Sequence, residues 1–137
     1  LVAGGRIEVY PEDDSSTDLS ILRVIEDDRV NLIKMTPAHL SLVRELNPGQ
    51  SKSQRMILGG EDLRTELALG IVQLLGEVEI FNEYGPTEAT LGCLIHRYDT
   101  AGAKGVSLPI GRPSTHARVY VLDHAQNLVS RCTVGER

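Results

Sequence analysis

Apolar side chains along the chain follow two alternating rhythms: short β-branched or aliphatic runs, and longer stretches where apolar residues recur every three or four positions. The first run, residues 7–10, reads as a strand, and residues 13–16 read as a polar loop. Residues 18–29 carry Leu22 and Ile25 three apart, with Ile21 and Val24 beside them, which makes an apolar stripe at helical spacing. A second strand is expected over residues 31–35. Thr36 then offers a capping hydroxyl, and Pro37 a first helical residue whose missing N–H costs nothing, so a helix over residues 37–46 is predicted to start there. Asn47, Pro48 and Gly49 stop that helix, and residues 50–54 read as a polar connector.

A strand over residues 55–58 is ended by Gly59 and Gly60. The clearest helix follows, with Leu63, Leu67, Ile71, Leu74 and Leu75 on one face, Asp62 as its expected cap and Gly76 closing it. Residues 79–82 form a strand that runs into the turn-rich Tyr84, Gly85, Pro86 and Thr87. Repeated strand–helix–strand units predict an α/β fold, a largely parallel sheet with flanking helices, whose ligands sit at the carboxyl ends of the strands. Both polar glycine turns, residues 59–62 and 84–88, fall at such ends. Beyond Thr90 the helical rhythm stops. Residues 91–98, 117–122 and 127–129 are strand-like, with turns at 102–105 and 123–126, so antiparallel or mixed β is expected there. Residues 1–90 and 91–137 are accordingly read as the strand–helix portion and the mainly β portion of one truncated domain.

Composition narrows the function classes. The 137 residues are 41% apolar and 24% charged, which fits one soluble domain with a real core. A net charge of −5 without any Lys/Arg block argues against a nucleic-acid partner. No apolar run approaches the roughly 18 residues of a membrane span, so a cytoplasmic protein without membrane partners is expected. Cys93 and Cys132 lie far apart and read as two free thiols, while His39, His96, His116 and His124 show no metal spacing. There is no P-loop string, no GxGxxG and no Gly-x-Ser-x-Gly elbow. The chain starts without methionine and carries no terminal signal, and both ends read as cut from something longer.

The candidate chemistry concentrates in Asn82, Glu83, Tyr84, Gly85, Pro86, Thr87 and Glu88. Gly85 permits close backbone approach, Thr87 offers a hydroxyl and an N–H to a phosphate, Glu88 is a hard oxygen ligand for magnesium, and Tyr84 is a flat face for a base. Spacing alone leaves open an ordinary Gly-Pro turn with exposed Thr and Glu.

The string NEYGPTEAT at residues 82–90 resembles a core motif of nonribosomal peptide synthetase adenylation domains. It is joined, in order, by KMTPAHL at 34–40, LGGEDL at 58–63, PIGRP at 109–113 and VYVLD at 119–123, with Val134, Gly135 and Glu136 resembling the approach to a further motif. The resemblance spans nearly the whole chain and implies part of the large N-terminal subdomain of an adenylate-forming enzyme. It implies ATP and Mg2+ as cofactors, an amino acid as substrate, and a peptidyl carrier domain bearing phosphopantetheine, with neighbouring synthetase domains, as partners.

By that resemblance Tyr84 stacks on adenine, Asn82 and Gly85 belong to the nucleotide site, Thr87 contacts phosphate and Glu88 binds magnesium, the last two being the catalytic candidates. Gly59, Gly60 and Glu61 form backbone wall beside the adenine and the acyl pocket, and for Glu61 an acid complementing a helix dipole remains open. Lys34, Ile57, Gly59, Glu83, Leu91 and Gly92 fall at substrate-pocket positions. An ammonium donor on Lys34 and a carboxylate acceptor on Glu83 suit a side chain bearing both an acceptor and a donor, such as asparagine or a similar polar residue. A mutual Lys34–Glu83 ion pair in a mostly apolar pocket is the other reading. Arg112 is read as anchoring a loop.

The sequence holds no glycine- and serine/threonine-rich phosphate loop, no anchoring aspartate for the amino group, no downstream aspartate for ribose and no lid with a catalytic lysine. The isolated chain is therefore expected to be inactive. Another acyl- or aryl-acid ligase of the same type, or a degenerate domain that only binds nucleotide or a partner, are the alternative functions.

Overall fold

The computed structural model describes residues 4–11, 20–46, 54–89, 92–102 and 105–130. Its elements run α1 (Ser20–Asp27), β1 (Leu32–Met35), α2 (Pro37–Leu46), β2 (Arg55–Gly59), α3 (Thr65–Leu75), β3 (Glu79–Tyr84), a 3-10 turn (Thr87–Ala89), β4 (Leu94–Arg97) and β5 (Arg112–Pro113). One sheet takes the strands in chain order. β1, β2 and β3 are parallel, and β4 and β5 join antiparallel. The expected α/β class, a largely parallel sheet with flanking helices followed by antiparallel strands, is what forms.

Alternation along the strands explains the layering. Ile33, Met35, Met56, Leu58 and Ile80 face one side and meet Leu22 and Ile25 of α1, Leu40 and Val43 of α2, and Leu67, Ala68, Ile71 and Leu75 of α3 in a single core. Leu40, Met56, Leu58, Leu63, Ile71 and Ile80 are fully buried, each contributing on the order of 1.5–3 kcal/mol. The other side carries Lys34, Arg55, Ile57, Glu79, Phe81 and Glu83, which remain partly or fully accessible. The substrate-pocket candidates of the strands thus share the face that the helices leave open.

Local chemistry fixes the boundaries. Asp28 takes φ 51°, the left-handed conformation that an aspartate can adopt to end α1. Thr36 and Pro37 open α2 where expected, the Leu40 N–H donating to the Thr36 carbonyl at 3.1 Å. Gly76 ends α3, its N–H donating to the Val72 carbonyl at 3.0 Å.

Several expectations are corrected. Residues 7–10 make no strand: Ile7 and Val9 are 66% and 84% exposed and hold no ladder partner among the described residues. Asp62 does not cap α3; it accepts from Ser107 Oγ at 2.8 Å and pairs with Arg64, while loop 105–108 ties down the helix start through Thr65 N–H to the Val106 carbonyl at 2.9 Å. Residues 117–122 and 127–129 form only an isolated bridge, Leu122 to Leu128. Their turn does form, with Asp123 Oδ1 accepting the Ala125 and Asn127 N–H groups at 2.9 and 2.8 Å. A hairpin without a further strand to bury its face stays open, and Tyr120 and Leu128 are exposed. Arg112, read as a loop anchor, lies in β5 opposite Ile95. Gly111 makes that pairing possible: it has φ +87°, and a Cβ there would overlap the Ile95 carbonyl. The stop signal at residues 47–49, Leu91, Cys132 and residues 134–136 lie outside the described residues.

Candidate functional site

The carboxyl ends of β1, β2 and β3 carry the chemistry-bearing side chains, as the crossover rule requires. Two hollows of about 390 Å3 each open there. The first is lined by Gly60, Glu61, Asn82, Glu83, Tyr84 and Gly85, together with Asp62, Leu63, Leu108 and Ile110. The second is lined by Lys34 and Gly59 with Ser20, Ile21, Met35, Thr36 and His39. Larger hollows, about 880 and 690 Å3, lie at the amino ends of the strands. There Glu79 takes Arg55 at 2.7 Å and Arg97 at 2.6 Å, and the Arg55 hydrogen bond above all holds its carboxyl below the usual glutamate range. Position in the fold favours the smaller pair, because a parallel sheet directs loops and ligands to its carboxyl edge.

In the first hollow Tyr84 is 41% exposed at the end of β3, leaving ring surface at the mouth. Asn82 is the buried polar residue of this region, 4% exposed. Its Nδ2 donates to the Leu108 carbonyl at 3.3 Å and the Pro109 carbonyl at 2.9 Å. Both amide hydrogens are thereby committed, which leaves Oδ1 as the acceptor the side chain can offer. The same bonds fasten the Leu108–Ile110 wall to β3. Sequence reading missed Leu108 and Ile110 as cleft residues, since nothing local to PIGRP reveals an anchor 26 residues upstream.

Between the hollows Lys34 Nζ meets Glu83 Oε2 at 2.5 Å. Lys34 pairs across the ladder with Ile57, and Gly59 with Glu83, so the four residues form one patch. Side-chain exposures of 55% for Lys34 and 16% for Glu83 make this a half-solvated pair, worth at most about 1 kcal/mol to folding. Its consequence is positional: it fixes where a donor and an acceptor stand. Gly92 lies directly under the carboxylate, and a Cβ on it would overlap Glu83 Oε1. Of the substrate-pocket candidates, Lys34, Ile57, Gly59, Glu83 and Gly92 are brought together, and Leu91 lies outside the described residues.

Thr87 and Glu88 sit exposed on the 3-10 turn just beyond β3 and do not line either hollow. Among the described residues no cluster of three or more His, Cys, Asp or Glu forms a metal cage. One accessible carboxylate nevertheless fits magnesium, which takes one or two protein carboxylates and fills the rest of its octahedron with phosphate and water oxygens. Cys93 is a free, half-buried thiol. No described helix is long and apolar enough to cross a membrane.

A sheet of this topology, with an aromatic-walled cleft and a Gly-Pro-Thr-Glu turn at its carboxyl edge, defines an α/β unit whose candidate ligand site lies at that edge. The chain belongs to the AMP-binding enzyme family, whose model matches residues 1–136. It is 41% identical to bacitracin synthase 3 of Bacillus licheniformis over 137 residues, covering 99% of this chain and 2% of that protein. It is 42% identical to tyrocidine synthase 3 of Brevibacillus parabrevis over 137 residues, covering 99% of this chain and 2% of that protein. Its fold is similar to that of PA1221, an NRPS protein containing adenylation and PCP domains, with a TM-score of 0.70 at 18% identity over 82% of this chain and 23% of that one. The chain therefore spans a small part of the length of these relatives.

Proposed function

We propose that the chain is part of an amino-acid-activating adenylation domain of a nonribosomal peptide synthetase. The complete domain joins a carboxylate oxygen of the amino acid to the α-phosphorus of ATP, breaks the bond to the pyrophosphate leaving group, and passes the aminoacyl group to the phosphopantetheine thiol of a carrier domain as the acyl–phosphate bond breaks and AMP departs. The observation that carries the reading is the pair of hollows at the carboxyl edge, one aromatic-walled and the other bearing Lys34, parted by the Lys34–Glu83 ion pair.

In this reading adenine lies against Tyr84, with Gly59, Gly60, Glu61 and Gly85 as close backbone wall and Asn82 Oδ1 as an acceptor for an exocyclic amine. Thr87 contacts phosphate from the turn after β3. Glu88 holds Mg2+, which when bound neutralises phosphate charge as pyrophosphate departs. Lys34 and Glu83 receive the amino-acid side chain over a floor of Ile57, Gly59 and Gly92. A carboxamide can add to this ion pair, its oxygen accepting from Lys34 and its nitrogen donating to Glu83, whereas an aliphatic group can make neither hydrogen bond and leaves the two paired with each other. Asparagine, or a polar residue like it, is the proposed substrate. The isolated chain lacks the phosphate loop and lid lysine and is proposed to be inactive.

Competition binding of asparaginyl and leucyl sulfamoyl-adenosine, non-reacting mimics of the adenylates, to the complete domain tests this. The asparaginyl mimic should bind about tenfold more tightly, the factor that one added hydrogen bond to a charged group supplies. Equal affinities would remove the Lys34–Glu83 argument while sparing the nucleotide site.

A further inference from the structure

We propose that the Glu61 side chain is a positioning residue that completes the cap of α2 and thereby sets the shape of the amino-acid side of the site. The inference deepens the proposed function and rests on it for the identity of that site. Its physical basis is an accounting of N–H groups at the start of α2. Four amides at a helix start lack a preceding-turn partner unless the cap supplies one. Pro37 has no N–H, and the regular helical ladder begins only with the Leu40 N–H to the Thr36 carbonyl, so within the first turn Ala38 and His39 need other acceptors. The His39 N–H donates to Thr36 Oγ1 at 3.4 Å. The remaining donor, Ala38 N–H, is taken at 3.1 Å by Glu61 Oε2, a residue 23 positions away in the loop after β2.

The reach depends on the backbone between them. Gly60 adopts φ +90°, which a residue with a side chain rarely takes, and its nearest neighbour across the gap is Thr36, the cap of α2. The carboxylate thus lands on the positive end of α2 and is favoured there by the aligned peptide dipoles. Glu61 itself lines the aromatic-walled hollow, whereas Thr36 and His39 line the other. One hydrogen bond therefore ties the loop of the first hollow to the helix that walls the second. Thr36 Oγ1 also holds His39 Nδ1 at 3.0 Å, so the imidazole is set by the same cap. With the Ala38 and His39 N–H groups engaged within the chain, neither is offered to a substrate anion, and the Glu61 carboxylate serves α2 rather than phosphate or metal.

The test compares Glu61→Ala and Glu61→Gln in the complete adenylation domain. One arm measures KM for amino acid and for ATP by pyrophosphate exchange, and the other measures hydrogen–deuterium exchange at residues 38–40. Glu61→Ala should accelerate amide exchange at Ala38 and raise KM for the amino acid by roughly three- to tenfold, the scale of a lost cap. KM for ATP should rise less than KM for the amino acid, and Glu61→Gln, which keeps an acceptor oxygen, should recover most of both effects. A rise in KM for ATP without one for the amino acid, or unchanged exchange at Ala38 in Glu61→Ala, overturns the proposal. If the unsubstituted domain activates no amino acid, the functional reading fails, and the amide-exchange arm still decides whether Glu61 caps α2.

Discussion

Adding one methyl group at Gly92 tests how the pocket is organised. A Cβ there would stand 2.5 Å from the Glu83 carboxyl carbon and 3.0 Å from Oε2, against an ordinary contact of at least 3.4 Å. The carboxyl carbon must therefore retreat by about 0.9 Å in Gly92→Ala. Its carboxylate is engaged by Lys34 at 2.5 Å, so the retreat strains or breaks that contact. Folding should change little, because a half-exposed pair contributes at most about 1 kcal/mol. Selectivity should change more. A misplaced acceptor costs a hydrogen-bonded substrate roughly 1–3 kcal/mol, so kcat/KM for asparagine should fall about 5- to 150-fold, with alanine or another small apolar amino acid losing far less. Amino-acid-dependent pyrophosphate exchange by the complete domain, read as a ratio of kcat/KM values, measures this. An unchanged ratio of asparagine to alanine in Gly92→Ala would refute the claim that the Glu83 carboxylate stands in the pocket where Gly92 allows it.

Asn82→Ala should lower the urea-unfolding free energy of the complete domain by roughly 1–3 kcal/mol, because the buried Leu108 carbonyl and its neighbour lose their donor. Asn82→Asp should be worse than Asn82→Ala, since it sets an anion against two carbonyl oxygens, and the reverse order would remove Asn82 as the anchor of that wall. Glu79 makes a pH prediction: with its folded-state carboxyl held low, chiefly by the Arg55 hydrogen bond, its stabilisation is present above the ordinary glutamate range and is lost as pH falls through the lowered value. Melting temperature should therefore drop less steeply with acid in Glu79→Gln than in the unsubstituted domain; parallel curves would leave the Arg55–Glu79–Arg97 network without effect.

The parallel half was legible because each of its signals is local. Thr36 and Pro37 announce α2 within two residues, and the stripe of Leu67, Ile71 and Leu75 needs no partner to be recognised. The failures share a different cause. Whether residues 7–10 or 117–122 become strands depends on another strand to pair with, and alternation in one segment says nothing about that. β5 is two residues long and exists because Gly111 lets the chain pass close to β4. At the site, the residue types in the turn at 84–88 pointed to nucleotide chemistry, but spacing could not distinguish them from an ordinary turn. Lys34 and Glu83 were each visible and their mutual ion pair was one of two readings; the register of β1, β2 and β3 is what brings the pair together. Asp62 shows the limit of capping rules: an acid beside a helix start was the natural cap, and Ser107, 45 residues away, claimed it instead.

The central claim, amino-acid activation by a magnesium-dependent adenylate former, is tested most directly by pyrophosphate exchange in the complete domain against all common amino acids, with Glu88→Ala beside it. Exchange that peaks with asparagine or a similar polar amino acid and falls at least a hundredfold in Glu88→Ala, about 2.7 kcal/mol of lost transition-state stabilisation, is the predicted result. Exchange with no carboxylic acid would contradict the account and leave a domain that only binds nucleotide or a partner.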